Sequence, residues 1–254
     1  MLDIITHNGG ILEIRLARPP ANALDGELLI ALRDAVASAP ANGARGIIVS
    51  GAPGMFSAGL DLPALLECDR ATMRVFWSDF VAMMRALAGS ALPVAAAITG
   101  HSPAGGAVIA LCCDYRVMAA GSFKIGLNEV RVGLPLPAIL YDALTNVVGP
   151  RQAALLGAEG RLLDAHQALA AGLVDELAPP EETVAAARAW LDGVLALPPV
   201  AYAQTRARAR SALVDAFAVA AAAPAIEAIV DAWFSDETQA QLRFVVGQLK
   251  AKKR

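Results

Sequence analysis

From residue 86 to residue 113 the chain carries no Asp, Glu, Lys or Arg. One helix of that length and character could span a membrane. Pro93, Pro103, His101, Ser102 and glycines at 100, 105 and 106 interrupt the run. It therefore parses as a strand over 94–98, a loop, and a buried helix over 106–112. The fold has to enclose a strand and a helix that both lack a charged face. With 56% hydrophobic and 18% charged residues in 254, the chain can supply that cover within one full-sized domain, and disorder is not expected.

Other elements follow from local signals. Residues 4–7 and 11–16 flank Asn8-Gly9-Gly10 and read as a β-hairpin. Asp25 is placed as the N-cap of a helix running through Leu28, Leu32 and Val36. Residues 47–49 read as a short buried strand, and 115–118 as another. Residues 63–91 carry a helix whose apolar face contains Phe76, Trp77 and Phe80. Strand pairs followed by a helix recur about every 40 residues, which suggests stacked β–β–α turns. After Pro137 the chain reads as almost all helix, with breaks at Gly149-Pro150, Gly172, Pro179-Pro180 and Pro198-Pro199. The last segment has apolar faces (Val214, Phe217, Ile226, Trp233, Phe244, Val245) with little nearby chain left to cover them, so an assembly interface is expected there.

Composition excludes several functions. A net charge of −3 is not the footprint of a nucleic-acid binder, and the basic end KAKKR at 250–254 reads as a solvated terminus. Cys68, Cys112 and Cys113 form no disulfide framework, and the adjacent pair reads as small buried hydrophobes. His7, His101 and His166 are scattered, so no metal site is expected. The start MLDIITHNGG has neither a basic region nor an apolar one, which leads to the expectation of a soluble, cytoplasmic protein without membrane partners.

Three constellations could carry chemistry. The loop GAPGMFSAGLD at 51–61 could turn backbone N–H groups near Ala58 and Leu60 toward a ligand oxygen. It could equally be a surface turn in which Asp61 caps the next helix. Gly105-Gly106 opens an apolar helix, where unpaired N–H groups and the positive end of the macrodipole favour an anion. The same pair could merely allow tight helix–strand packing. Neither a dinucleotide fingerprint nor a phosphate loop nor a nucleophile elbow is present. Glu129 sits in the apolar segment IGLNEVRVGLPLP, as a helix cap, an Arg131 partner or, in a dry pocket, a base with a raised pKa.

The order FSAGLDL (56–62), PAGGAVIALCCDYR (103–116) and IGLNE (125–129) resembles the crotonase (enoyl-CoA hydratase/isomerase) superfamily. ARPPANALD at 17–25 and GRLLDAHQALAAGLVDEL at 160–177 are also similar to it, so the resemblance spans nearly the whole chain. It implies an α/β spiral of β–β–α units over residues 1–196 and a helical C-terminal trimerisation region over 197–254. It also implies an acyl-CoA substrate and a homotrimer or dimer of trimers. Leu60 and Gly105 would be the two N–H donors that hold the thioester oxygen. Ala58, Asp61 and Leu62 would lie along the CoA, with Gly106 and Val108 beside the substrate. No metal or redox cofactor is implied, since CoA is the carrier of the substrate.

Relatives that add water resemble one another in having two glutamates, and the place of the first is taken here by Val108, leaving Glu129. The chain is most similar to the Δ3-Δ2-enoyl-CoA isomerase branch of fatty-acid metabolism. There the matching glutamate takes a proton from C2 and returns it at C4. Other reactions of the superfamily on acyl-CoA, or acyl-CoA binding without turnover, are the alternatives.

Overall fold

The computed structural model describes residues 1–220 and 223–251. Of the basic end at 250–254, residues 252–254 lie outside the described residues. The hairpin forms as expected: β1 (Leu2–His7) and β2 (Ile11–Leu16) pair antiparallel from Leu2↔Leu16 to His7↔Ile11. Asp25 caps α1 (Gly26–Ser38), its carboxylate accepting from the Leu28 N–H at 2.9 Å. Then come β3 (Gly46–Ser50), β4 (Gly54–Met55), α2 (Leu62–Leu65), α3 (Arg70–Ala88), β5 (Val94–Ile98), β6 (Gly100–Pro103), α4 (Gly105–Leu111), β7 (Tyr115–Ala119) and β8 (Lys124–Gly126). Helix α5 (Ala138–Glu159), β9 (Leu163–Asp164), α6 (Ala165–Ala170), β10 (Glu176–Ala178) and α7 (Thr183–Leu195) complete the spiral.

Successive turns feed two sheets. One has the order β1-β2-β3-β5-β7-β10, parallel from β2 onward, and the other β4-β6-β8-β9. In the uncharged run, every residue of β5 and of α4 is buried. One face of the larger sheet packs on α7 through Ile48, Ala95, Ala97 and Leu191. The opposite face, with Val49, Ala96 and Ile98, joins the main core of α1, α3 and α4. Strands buried on both faces need no polar alternation, which accounts for VAAAI in β5. Cys112 and Cys113 are buried, and burial pushes the Cys113 thiol up to about 12.

Three expectations are corrected. The helix over 63–91 is two helices, because the Asp69 carboxylate accepts from the Thr72 N–H at 2.8 Å and caps α3 afresh. The region after Pro137 is not all helix: β9 and β10 lie there, and β10 joins the edge of the larger sheet. Two- and three-residue strands are too short to show a period. At Gly149-Pro150 α5 kinks, with Gly149 at φ 76°, and helix resumes at once after the proline.

The third correction concerns how much apolar surface is left uncovered on the C-terminal helices α8 (Pro199–Ala220), α9 (Ala223–Trp233) and α10 (Asp236–Ala251). Phe217, Ile226 and Trp233 are buried by the chain itself, while Phe244 stays exposed. Helix α8 packs on α3 and α5, and a guanidinium clamp ties it to Asp114 and to the ends of α3 and α4. Arg206 donates to both Asp114 oxygens, at 2.9 and 2.8 Å, and Arg210 reaches Asp114 at 3.1 Å. Arg210 also donates to the carbonyls of Ala88, at the end of α3, and of Cys112, at the end of α4, where cations suit the helix dipole.

All three side chains of the clamp are about nine-tenths buried. Removing one partner of such a cluster strands the others. Asp114→Ala should therefore lower the free energy of unfolding by about 3–5 kcal/mol in urea titration. A loss below about 1 kcal/mol would mean that the helix-end carbonyls alone satisfy the two arginines.

Candidate active site

The segment 21–24 runs alongside 58–61 and shapes the first half of the site. Ala58 N–H donates to Ala21 O, Leu24 N–H to Gly59 O and Asp61 N–H to Leu24 O, at 2.7–2.9 Å. Arg18 fixes this pairing from outside, holding Asp25 at 2.8 Å and Asp61 at 2.7 Å. Asn22, at φ 50°, donates from Nδ2 to Phe56 O at 3.0 Å. Asx residues tolerate that conformation, so Asn in ARPPANALD was the readable signal for a turn that the sequence reading left without a role.

Among the described residues, neither the Leu60 N–H nor the Gly105 N–H donates to another group of the chain. The two peptides are close, since a Cβ on Gly59 would stand 3.2 Å from Gly105 N and 3.0 Å from Ala104 Cβ. Gly59 is at φ +84°, so glycine serves both the turn and the approach. Ala104, which precedes α4, has φ 48° and ψ −120°, a conformation that costs a non-glycine residue about 1–3 kcal/mol. The Gly105 N–H that follows this turn has no partner among the described residues.

Glu129 opens a short 3-10 turn, Glu129–Val132, closed by Gly133 at φ 77°. Leu134 N–H returns to Glu129 O at 3.0 Å, and Thr238 of α10 donates to Gly133 O at 2.6 Å. Arg131 is not its partner, because that guanidinium donates to the carbonyls of Glu159 and Gly160. The Glu129 side chain is buried, its Oε2 has no hydrogen-bond partner among the described residues, and desolvation pushes its pKa up from 4.5 to about 7.

These parts meet at one cavity of about 200 Å³. Ala58, Leu60 and Leu62 line it from one loop, Gly105 from the start of α4, and Glu129 from the 3-10 turn. Three expected residues are not on its wall. Asp61 accepts from Ala64 N–H and pairs with Arg18, Gly106 lets α4 press against Ser57, and Val108 is fully buried in the core. A Cβ on Gly106 would meet Ser57 O at 2.6 Å, so the tight-packing reading of the second glycine has a concrete cause.

The far wall was not read as part of the site. Trp77 and Phe80 come from α3, Trp233 from α9, and Leu242, Val245 and Leu249 from α10. Trp233 and Val245, grouped in the sequence with the apolar faces expected at an assembly interface, line the cavity. Glu129 is the one titratable residue on the wall among the described residues. No cluster of three His, Cys, Asp or Glu that could hold a metal occurs among them either.

The family described as Enoyl-CoA hydratase/isomerase matches residues 6–235. The chain belongs to that family. Enoyl-CoA hydratase/isomerase members similar to it include the mitochondrial enoyl-CoA delta isomerase 1 of Mus musculus, 35% identical over 81% of this chain and 72% of the relative. The probable enoyl-CoA hydratase EchA17 of Mycobacterium tuberculosis is 34% identical over 80% of this chain and 77% of its own. The crystal structure of human mitochondrial delta3-delta2-enoyl-CoA isomerase superposes with a TM-score of 0.95 at 30% identity, covering 100% of this chain and 99% of that one. The fold is thus the crotonase spiral of this family.

The burial of Glu129 makes stability depend on pH. Its carboxyl binds a proton more tightly folded (about 7) than unfolded (4.5), so its contribution is complete below pH 4.5 and is lost as the pH rises through 7. Glu129→Gln cannot titrate. Its unfolding free energy relative to wild type should rise by about 3 kcal/mol between acid and mildly alkaline buffer. A difference that is flat in pH would show that Glu129 is hydrated in solution.

Proposed function

We propose that this enoyl-CoA hydratase/isomerase family member moves a double bond of an enoyl-CoA from C3 to C2. The observation that carries the reading is the lone carboxylate on a cavity wall that is otherwise uncharged among the described residues. The thioester oxygen accepts from the Leu60 and Gly105 N–H groups. Glu129 carboxylate takes a proton from C2, and the electron pair delocalises through the thioester and the C3–C4 double bond as a dienolate. The protonated Glu129 then delivers the same proton to C4, leaving the double bond between C2 and C3. Preorganised donors at an oxyanion are each worth a few kcal/mol. Ala58 and Leu62 would flank the CoA portion, and the reaction needs no metal or redox cofactor.

Hydration needs one group to activate water and a second to deliver a proton. One carboxylate among Trp77, Phe80, Leu140 and Trp233 favours the proton shuttle instead. We further propose a homotrimer, or a dimer of trimers, for which the exposed Val75, Val200 and Phe244 offer apolar surface. The unpaired Cys68, Cys112 and Cys113 support a reducing compartment, and we propose the cytoplasm.

The purified protein should convert 3-hexenoyl-CoA to the conjugated thioester, followed by absorbance. Hydration of 2-hexenoyl-CoA should be at least about 100-fold slower, the scale of a missing general acid–base group. Glu129→Gln should lose about 10²–10⁴-fold in kcat. The wild-type rate should climb with pH and level off above about 7, because the carboxylate is the base. Full activity in Glu129→Gln would remove the shuttle. Hydration faster than isomerisation would point to a hydratase, and binding without turnover to an acyl-CoA binder.

A further inference from the structure

Beside the catalytic cavity lies a second one of about 220 Å³, between residues 134–139 and α9. Its wall is Leu, Pro, Ala and Ile, with no polar side chain. Among the described residues, Leu134 is the one residue that lines both cavities. Its side chain is buried, so it is a partition rather than a rim.

The partition is held stiffly. The Leu134 N–H bonds to Glu129 O, the preceding Gly133 O accepts from Thr238, and Pro135 and Pro137 restrict the backbone that follows. Leu134 thus shares a turn with the carboxylate and stands at a set distance from it along the chain.

We infer that Leu134 sets the acyl-chain length this site accepts, by closing the catalytic cavity against a neighbouring apolar chamber that fits an unbranched aliphatic tail. The apolar lining of the chamber favours a hydrocarbon occupant, and the single side chain that separates it from the catalytic cavity points to the distal methylenes of the substrate. The inference rests on the acyl-CoA reading of the site. It adds the residue that limits the chain.

Binding of saturated acyl-CoAs from hexanoyl to tetradecanoyl, measured by titration calorimetry, reads the limit without turnover. Each added methylene should tighten binding about fourfold, the equivalent of 0.8 kcal/mol per buried CH₂, until the tail meets Leu134. Beyond that length the wild-type affinity should stop rising. In Leu134→Ala the rise should continue, so that the long-to-short affinity ratio grows at least about tenfold. Filling the chamber with Ala232→Phe in the Leu134→Ala background should cancel that gain.

Leu134→Val provides the milder opening if the alanine variant does not fold, and should give a smaller shift in the same direction. The same ratio in wild type and in the folded variants would overturn the inference, as would a gain that Ala232→Phe leaves intact. Failure of the wild type to isomerise 3-hexenoyl-CoA, with these binding shifts present, would count against the reaction and not against Leu134. No binding of any acyl-CoA would sink both.

Discussion

The apolar wall around Glu129 is held in place by a contact that is not part of it. Arg206 and Arg210 on α8 hold Asp114 between β7 and the end of α4, and Arg210 also caps the carbonyl ends of α3 and α4. Helix α3 supplies Trp77 and Phe80 to the cavity, and α4 begins at Gly105. Docking α8 in this way brings α9 and α10 over the same space, where Trp233 and Leu242 complete the wall. Desolvation is the leading cause of the raised Glu129 pKa, and the helices tied together by this cluster supply part of the wall that buries it.

The backbone is tensioned at the point where the two N–H groups meet. Non-glycine residues avoid the conformation of Ala104, yet it opens α4 with the Gly105 N–H unpaired. Two features nearby make room for it. Gly59 removes the side chain that would strike Ala104, and Gly106 lets α4 slide against Ser57. Placing two donors side by side without partners runs against the usual pairing of buried N–H groups. The surrounding hydrogen bonds, Leu24 with Gly59 and Asp61 above all, hold the loop in place.

Much of this was legible in the sequence where a local signal existed. Asp25 before an apolar period reads as a cap and is one, and the uncharged run resolves into β5 and α4 where proline and glycine punctuate it, but the stretch between them, read as a loop, holds β6. The spiral and the glycine step were legible through the order of FSAGLDL, PAGGAVIALCCDYR and IGLNE. The roof was not. Trp233 and Leu242 lie more than 100 positions after Glu129, and an apolar stripe on a helix looks the same whether it covers a cavity or another subunit. Arg206 and Arg210 drew no reading from the sequence, because Asp114, their partner, lies more than 90 positions earlier. Strands β9 and β10 escaped because two or three residues hold no period.

The number of carboxylates in the dry space bears on the reaction more than the identity of the fold does. One glutamate with a pKa near 7 is partly ionised at neutral pH, so it can take a proton from carbon and, once protonated, is acidic enough to give it back. A second carboxylate alongside would alter both properties. It would draw water into the cavity, and the mutual repulsion would split the two pKa values. Here the first turns of α4 carry Ala107, Val108 and Ile109, all fully buried, so no acidic group can reach the cavity from that helix. Under the proposed reaction, with Trp77, Phe80 and Trp233 on the wall, a proton on Glu129 would have two carbons of a bound enoyl chain to choose between. That choice is what a double-bond shift consists of.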